Sequence, residues 1–178
     1  MALDKEGLHI GDPNSITTAT GLRFDPLHPD PALIDIEDIA RALSRQCRYN
    51  GHVGGFLSVA RHSLWVSEYL SLHHPKLALD GLLHDAAEAY LGDLVRPLKA
   101  TAFGAVYVEM EAQLEAVLFP VFGVTFPLAE EVKEADRWVL MNREIGEGSA
   151  RDNWYSAPEW DEKEFLNRFT ALGGAYHT

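Results

Sequence analysis

Apolar positions begin to recur at helical spacing from residue 36. Ile36, Ile39, Ala40, Leu43 and Cys47 share one face behind Asp35, a residue type that caps helix N-termini. After the glycine-rich stretch 49–55, a second helix is predicted over 58–72, with Val59, His62, Val66, Tyr69 and Leu70 on its inner face. Pro75 opens a third, marked by Leu79, Leu82, Leu83, Ala86, Ala87 and Tyr90 and stopped at Gly92. A fourth spans 103–119, with Val106, Met110, Leu114, Val117 and Leu118 turned inward. A fifth runs from Pro127 to Ile145 on Leu128, Val132, Ala135, Val139 and Leu140, and a short sixth covers 161–172 before Gly173 and Gly174. Residues 1–34 differ: rich in Pro, Gly, Asp and Thr, they read as an extended arm, with one or two short strands within 15–24. Period-2 alternation is scarce. The pattern predicts an all-α fold: a bundle of five or six main helices over 35–178, with the 1–34 arm packed on it.

Three of these inner faces carry residues that an apolar core does not ask for. His62 lies with Val59 and Val66. His84 and Asp85 interrupt Leu82-Leu83 and Ala86-Ala87, and Glu88 follows one turn later on the same side. Asp136 sits between Val132 and Val139. Singly, each has an ordinary explanation: a satisfied core histidine, or an acid paired with an arginine. Together they do not, because a buried unpaired carboxylate is costly and needs a cation or strong donors. Two imidazoles and two carboxylates (His62, His84, Asp85 and Asp136) converging from three helices suit one divalent ion of borderline or hard character. Mn, Co, Zn, Fe and Mg are not distinguished.

Composition narrows the function classes. Of 178 residues, 47% are hydrophobic and 24% charged, enough for one sizeable core. The net charge of −12 argues against nucleic-acid polymers and anionic membrane surfaces as partners, though a metal and a few cations can still admit a small anion to one cleft. A single cysteine, Cys47, excludes an internal disulfide framework. The polar start of the chain has no apolar core like that of a signal peptide, and no apolar run is long enough to span a bilayer. These features predict a cytoplasmic protein. The apolar fourth helix and the arm leave room for a homo-oligomeric surface.

The order His62, His84-Asp85, Asp136 resembles that of the HD-domain metal-dependent phosphohydrolases. The local strings are closer still: SVARHSLWVSEYL, LLHDAAEAYLGDLVRPLK and EVKEADRWVLMNRE. They are similar to the small bacterial and phage branch containing the YfbR-type 5′-deoxynucleotidases and the phage dATP triphosphohydrolases, over about residues 35–144. The H…HD…D frame alone is moderately specific, whereas HD-x-x-E followed by GDL-x-x-P-x-K is much more so. The resemblance implies an HD-domain fold in which His62, His84, Asp85 and Asp136 hold the ion. It also implies that Glu88 orients or deprotonates the attacking water and that Asp93 lies near the substrate sugar or reacting phosphate. Arg48-Tyr49 falls where the nucleotidases carry an Arg-aromatic pair touching phosphate and sugar; the aromatic here is Tyr in place of Trp, so sugar discrimination is not carried over. Binuclear and oxygenase members need further histidines after the His-Asp pair, and this sequence has none from 86 to 176, which implies a mononuclear site.

The expected chemistry is metal-assisted hydrolysis of a small nucleotide, with Arg48, Arg96 and Lys99 neutralising phosphate. A 5′-deoxynucleotidase and a dNTP triphosphohydrolase both fit. A cyclic-nucleotide or alarmone phosphodiesterase, or a non-catalytic nucleotide-sensing module, remains as an alternative on the same site.

Overall fold

Side-chain caps set where the helices begin. Asp35 accepts from the Glu37 N–H ahead of α1 (Ile36–Arg45), Ser58 from the Arg61 N–H ahead of α2 (Val59–His73), and Thr101 from the Gly104 N–H ahead of the long α6 (Ala102–Val121). The computed structural model describes residues 14–145 and 156–174. Within them lie also α3 (Ala78–Leu83), α4 (Glu88–Leu91), α5 (Arg96–Lys99), α7 (Glu130–Val139) and α8 (Pro158–Ala171). A π-type turn, Leu140–Glu144, extends α7. The only sheet among the described residues is the hairpin of β1 (Ile16–Thr17) and β2 (Arg23–Phe24), with Ile16 opposite Phe24. The architecture is an all-α bundle, as the periodicity predicts. No helix among the described residues is long and apolar enough to cross a membrane.

Helix α2 runs through the middle, packed against α1, α3, α7 and α8. One core cluster joins Phe24, Ile39, Leu43, Leu83, Leu114, Phe119, Phe165 and Phe169; a smaller one joins Trp65, Val66 and Leu70 of α2 to Val132 and Val139 of α7. The arm is tied down through fully buried Phe24, and through Thr20, whose N–H and hydroxyl donate to Asp38 at 2.7 and 2.8 Å. The rest of the arm, residues 1–13, and the pair Trp154-Tyr155 lie outside the described residues.

Two expectations need correction. The third helix is not continuous over 75–92: a 3-10 turn (Pro75–Leu77) leads into α3, and turns at 84–87 separate it from α4. There the hydrogen bonds shorten to three-residue spacing, Ala86 N–H to Leu83 O and Glu88 N–H to Asp85 O, which tightens the chain where His84 and Asp85 turn inward. Periodicity misses this because apolar spacing over one turn is nearly the same in both helix types. The fourth helix does not bury Val106, which is 57% exposed. Gly104 faces inward instead, because α5 crosses there: a Cβ on Gly104 would sit 2.2 Å from Leu98 O and 2.4 Å from Lys99 Cα. Val106, two positions on, is rotated by about 200° to the opposite side. Gly104→Ala is therefore expected to displace α5 and lower stability by about 1–3 kcal/mol, measurable by thermal denaturation.

Candidate metal centre

The close crossing of α2 and α3 brings the two predicted histidines together. Gly81 permits it, since a Cβ there would fall 2.4 Å from Leu70 Cδ1 and 3.2 Å from Val66 Cγ1. Across this contact, His62 of α2 and His84 at the end of α3 approach to 3.2 Å between their Nε2 atoms. Both rings are fixed from behind. His84 Nδ1 donates to the Gly81 carbonyl at 2.8 Å, and His62 Nδ1 donates to Glu144 Oε1 at 2.5 Å. With both protons committed to Nδ1, two Nε2 lone pairs face one another, an arrangement that calls for a proton or a cation between them.

The carboxylates complete the cage. Asp136 of α7 places Oδ1 3.1 Å from His62 Nε2, and Asp85 places Oδ2 3.2 Å from His84 Nε2 and 3.7 Å from His62 Nε2. Ligand atoms of His62, His84 and Asp136 all lie within 4.8 Å of one another; Asp85 flanks that trio against both rings. Donors about 2.1 Å from a shared ion and 90–109° apart stand roughly 3.0–3.4 Å from each other. The contacts of 3.1–3.2 Å fall in that range, and the 3.7 Å from Asp85 to His62 is wider. Electrostatics favour positive charge here as well. Burial opposes a charged His84, but Asp85 outweighs it and raises the imidazole to about 9. Burial would also raise Asp85, yet His84, His62 and Arg48 hold it well below the carboxylate range. Asp136 is likewise lowered, burial being overcome by the hydrogen bond with His62. A field that retains a proton at Nε2 is one that a divalent cation can exploit by displacing it.

The remaining predicted residues line one cleft of about 270 Å³ over this centre: Arg48, Tyr49, Asp85, Glu88, Asp93, Arg96, Lys99 and Asp136, with Leu94, Val95, Pro97 and Leu140. His62 and His84 lie behind this lining. Glu88 is 3% exposed. Burial, reinforced by Asp85 and Asp93, pushes its carboxyl up to about 10. Lys99 holds Oε1 at 3.4 Å, while Oε2 is buried with no hydrogen-bond partner. Asp93, raised by burial, is placed by its N–H on Gln46 Oε1 at 3.2 Å, and the same Gln46 donates to the Glu88 carbonyl at 2.8 Å. Gly92 makes the turn between them at φ 83°, a conformation that favours glycine.

The cations are less available than the sequence suggests. Arg48 is buried against Glu144 (3.0 Å) and Asp85 (3.8 Å). Lys99 is shared between Glu88 and Glu111. Arg96 reaches Asp136 only at 3.5 Å and keeps 65% of its side chain exposed. Arg61, beside His62, is 6% exposed and bound to Asp161 at 2.5 and 2.8 Å, and does not line the cleft. His52, His73 and His74 are exposed.

Sequence reasoning missed Glu144, which is wholly buried and holds His62, Arg48 and Tyr49 at once. The available signal was its place on the Asp136–Leu140 stripe, two turns past Asp136. It also missed a polar face of α6. Tyr107 donates to the Gly92 carbonyl, Glu111 pairs with Lys99, and Glu115 is pushed up to about 7 by burial, then by Glu111 and Asp85. These residues recur every four positions on one face of a helix whose apolar composition hid them. A carboxyl raised in the folded state binds its proton more tightly there, so ionising it costs stability. Metal-free protein is expected to lose stability as pH rises from about 4.5 to about 7. Glu115→Gln should flatten that part of a plot of melting temperature against pH.

No family model matches the sequence. The chain is 42% identical over 122 residues to the uncharacterized protein RCAP_rcc00048 of Rhodobacter capsulatus, a match covering 65% of this chain and 62% of that protein, just under two thirds of its length. It is 35% identical over 135 residues to the uncharacterized protein YfdR of Escherichia coli K12, covering 74% of this chain and 72% of that one. At that identity and coverage, the chain belongs to the family of Escherichia coli YfdR.

Proposed function

We propose that the chain is an HD-domain-type metal-dependent phosphohydrolase acting on small nucleotides, with a nucleoside monophosphate, in particular a deoxynucleotide, as its substrate. The observation that carries this reading is the pair of Nε2 atoms 3.2 Å apart, each ring anchored through Nδ1, beneath a cleft whose wall is a buried, partly unpartnered carboxyl. His62, His84, Asp85 and Asp136 would hold one divalent ion, which when bound supplies a Lewis acid for a phosphoryl oxygen and acidifies water. Glu88 performs the proton transfer. Without the ion, burial and the neighbouring acids keep this carboxyl protonated; a divalent ion bound beside it would offset Asp85 and lower it from about 10. That leaves a carboxylate of more than ordinary basicity, whose Oε2 takes a proton as the water oxygen bonds to phosphorus. The ester oxygen, leaving on the opposite side as its P–O bond breaks, is protonated from solvent. Lys99 keeps the carboxylate oriented through Oε1, and Arg96 meets phosphate charge at the cleft mouth.

The engagement of the cations favours a monophosphate over a triphosphate. A triphosphate brings about four negative charges and wants several free donors along its length. In this cleft Arg48 and Lys99 are already committed to acids, leaving Arg96 the most open of the three. A panel of nucleoside mono- and triphosphates and cyclic nucleotides with Mn²⁺ or Co²⁺ tests this. Inorganic phosphate from monophosphates is expected. Tripolyphosphate, or a linear monophosphate from a cyclic substrate, would reassign the reaction.

A further inference from the structure

We infer that Glu144 is a positioning residue that couples ion binding at His62 to the order of the strap formed by residues 48–51 along the cleft, an inference that rests on the metal reading above. Its two carboxylate oxygens face opposite tasks. Oε1 accepts from His62 Nδ1 at 2.5 Å, directly behind the nitrogen aimed at the metal centre. Oε2 accepts from Tyr49 Oη at 2.5 Å and from Arg48 Nε at 3.0 Å, the residues that form the strap. The side chain is wholly shielded from water, so none of these bonds is exchanged for solvent.

The strap needs such a holder. Tyr49 and Asn50 both adopt left-handed backbone conformations, φ 56° and 51°, which side-chain-bearing residues avoid unless their surroundings enforce them. Arg48 and Tyr49 reach across to the end of α7 through Glu144, while the backbone of Arg48 is tied to the Leu57 carbonyl at 2.9 Å. The physical link is the imidazole. A cation at Nε2 makes Nδ1–H a stronger donor, which fixes Glu144 more firmly and with it Tyr49 and Arg48. Linkage makes the effect reciprocal, so loosening the strap weakens the ion by the same factor.

The test uses the full chain, with Mn²⁺ affinity from titration calorimetry and backbone hydrogen exchange across residues 48–52, each with and without Mn²⁺. Wild-type protein is expected to slow its exchange in this segment when Mn²⁺ binds. Glu144→Gln is expected to weaken Mn²⁺ by about 10–100-fold and to lose the ion-dependent protection. Tyr49→Phe removes a single hydroxyl and is expected to weaken Mn²⁺ by about fivefold or more while speeding strap exchange. A merely structural Glu144 would lower the melting temperature of the metal-free variant but leave Mn²⁺ affinity and the exchange response intact, and that result overturns the inference. Should Glu144→Gln fail to fold, the wild-type exchange response and Tyr49→Phe decide on their own: an unchanged strap on ion binding, or wild-type affinity in Tyr49→Phe, overturns it. Wild-type protein that binds no Mn²⁺, Co²⁺ or Zn²⁺ overturns the metal reading itself and this inference with it.

Discussion

Glu88→Gln should keep its divalent ion and lose about 10²–10⁴-fold in turnover. The substitution preserves the shape of the side chain and an oxygen for Lys99, which holds Oε1 at 3.4 Å. It leaves the proposed ligand atoms of His62, His84, Asp85 and Asp136 in place. What it removes is the ability to take a proton from water at Oε2, the atom with no protein partner. Stability should hold or rise, because burial and the neighbouring acids already disfavour the charged carboxylate. Single-turnover phosphate release, read alongside metal content and melting temperature, separates these effects. Wild-type turnover in this variant would remove Glu88 from the chemistry.

The largest effect on folding is expected outside the cleft. Asp161, in the first turn of α8, is fully buried and receives Arg61 Nε and Nη2 at 2.8 and 2.5 Å, Ser58 Oγ at 2.6 Å and Ser156 Oγ at 2.5 Å. Asp161→Ala removes from the buried Arg61 guanidinium the carboxylate that receives both its Nε and Nη2, and keeps the half-exposed Glu164 at 2.6 Å. Removing one member of a buried charge pair costs about 3–5 kcal/mol, against a total stability of about 5–15 kcal/mol for an ordinary domain. A chain of this size should melt about 6–20 °C lower. The damage should extend to metal affinity, since Ser58 caps α2 and His62 sits in its first turns. A shift of less than about 2 °C would show that Arg61 finds another way to be satisfied.

How far the sequence reveals this molecule depends on the kind of interaction involved. Helix positions follow from periodicity and capping, and Asp35, Ser58 and Gly173 mark ends that the structure keeps. The convergence of His62, His84 and Asp136 is legible because each is a polar residue on a buried stripe, where burial without a partner is costly. The break at 84–87 is not, because it depends on His84 reaching back to Gly81 and on local hydrogen bonds that apolar spacing does not encode. The state of the cations is also hidden. Arg48 and Lys99 look like phosphate contacts in sequence, but Glu144 and Glu111, 96 and 12 residues away, claim them in space. Glu144 itself escapes because the π-type turn after α7 settles where its side chain goes. Periodicity does not place Val106 for a related reason: when a helix is apolar on most sides, the inward face is chosen by a close crossing, here at Gly104.

The claim on which the rest depends is that His62 and His84 aim their Nε2 atoms at one shared divalent ion. Elemental analysis of protein purified without chelator and equilibrated with Mn²⁺ tests it most directly. The geometry predicts one divalent ion per 178-residue chain, and none in His84→Ala that remains folded. Wild-type protein that carries no ion, or a His84→Ala variant that retains it, would contradict the account.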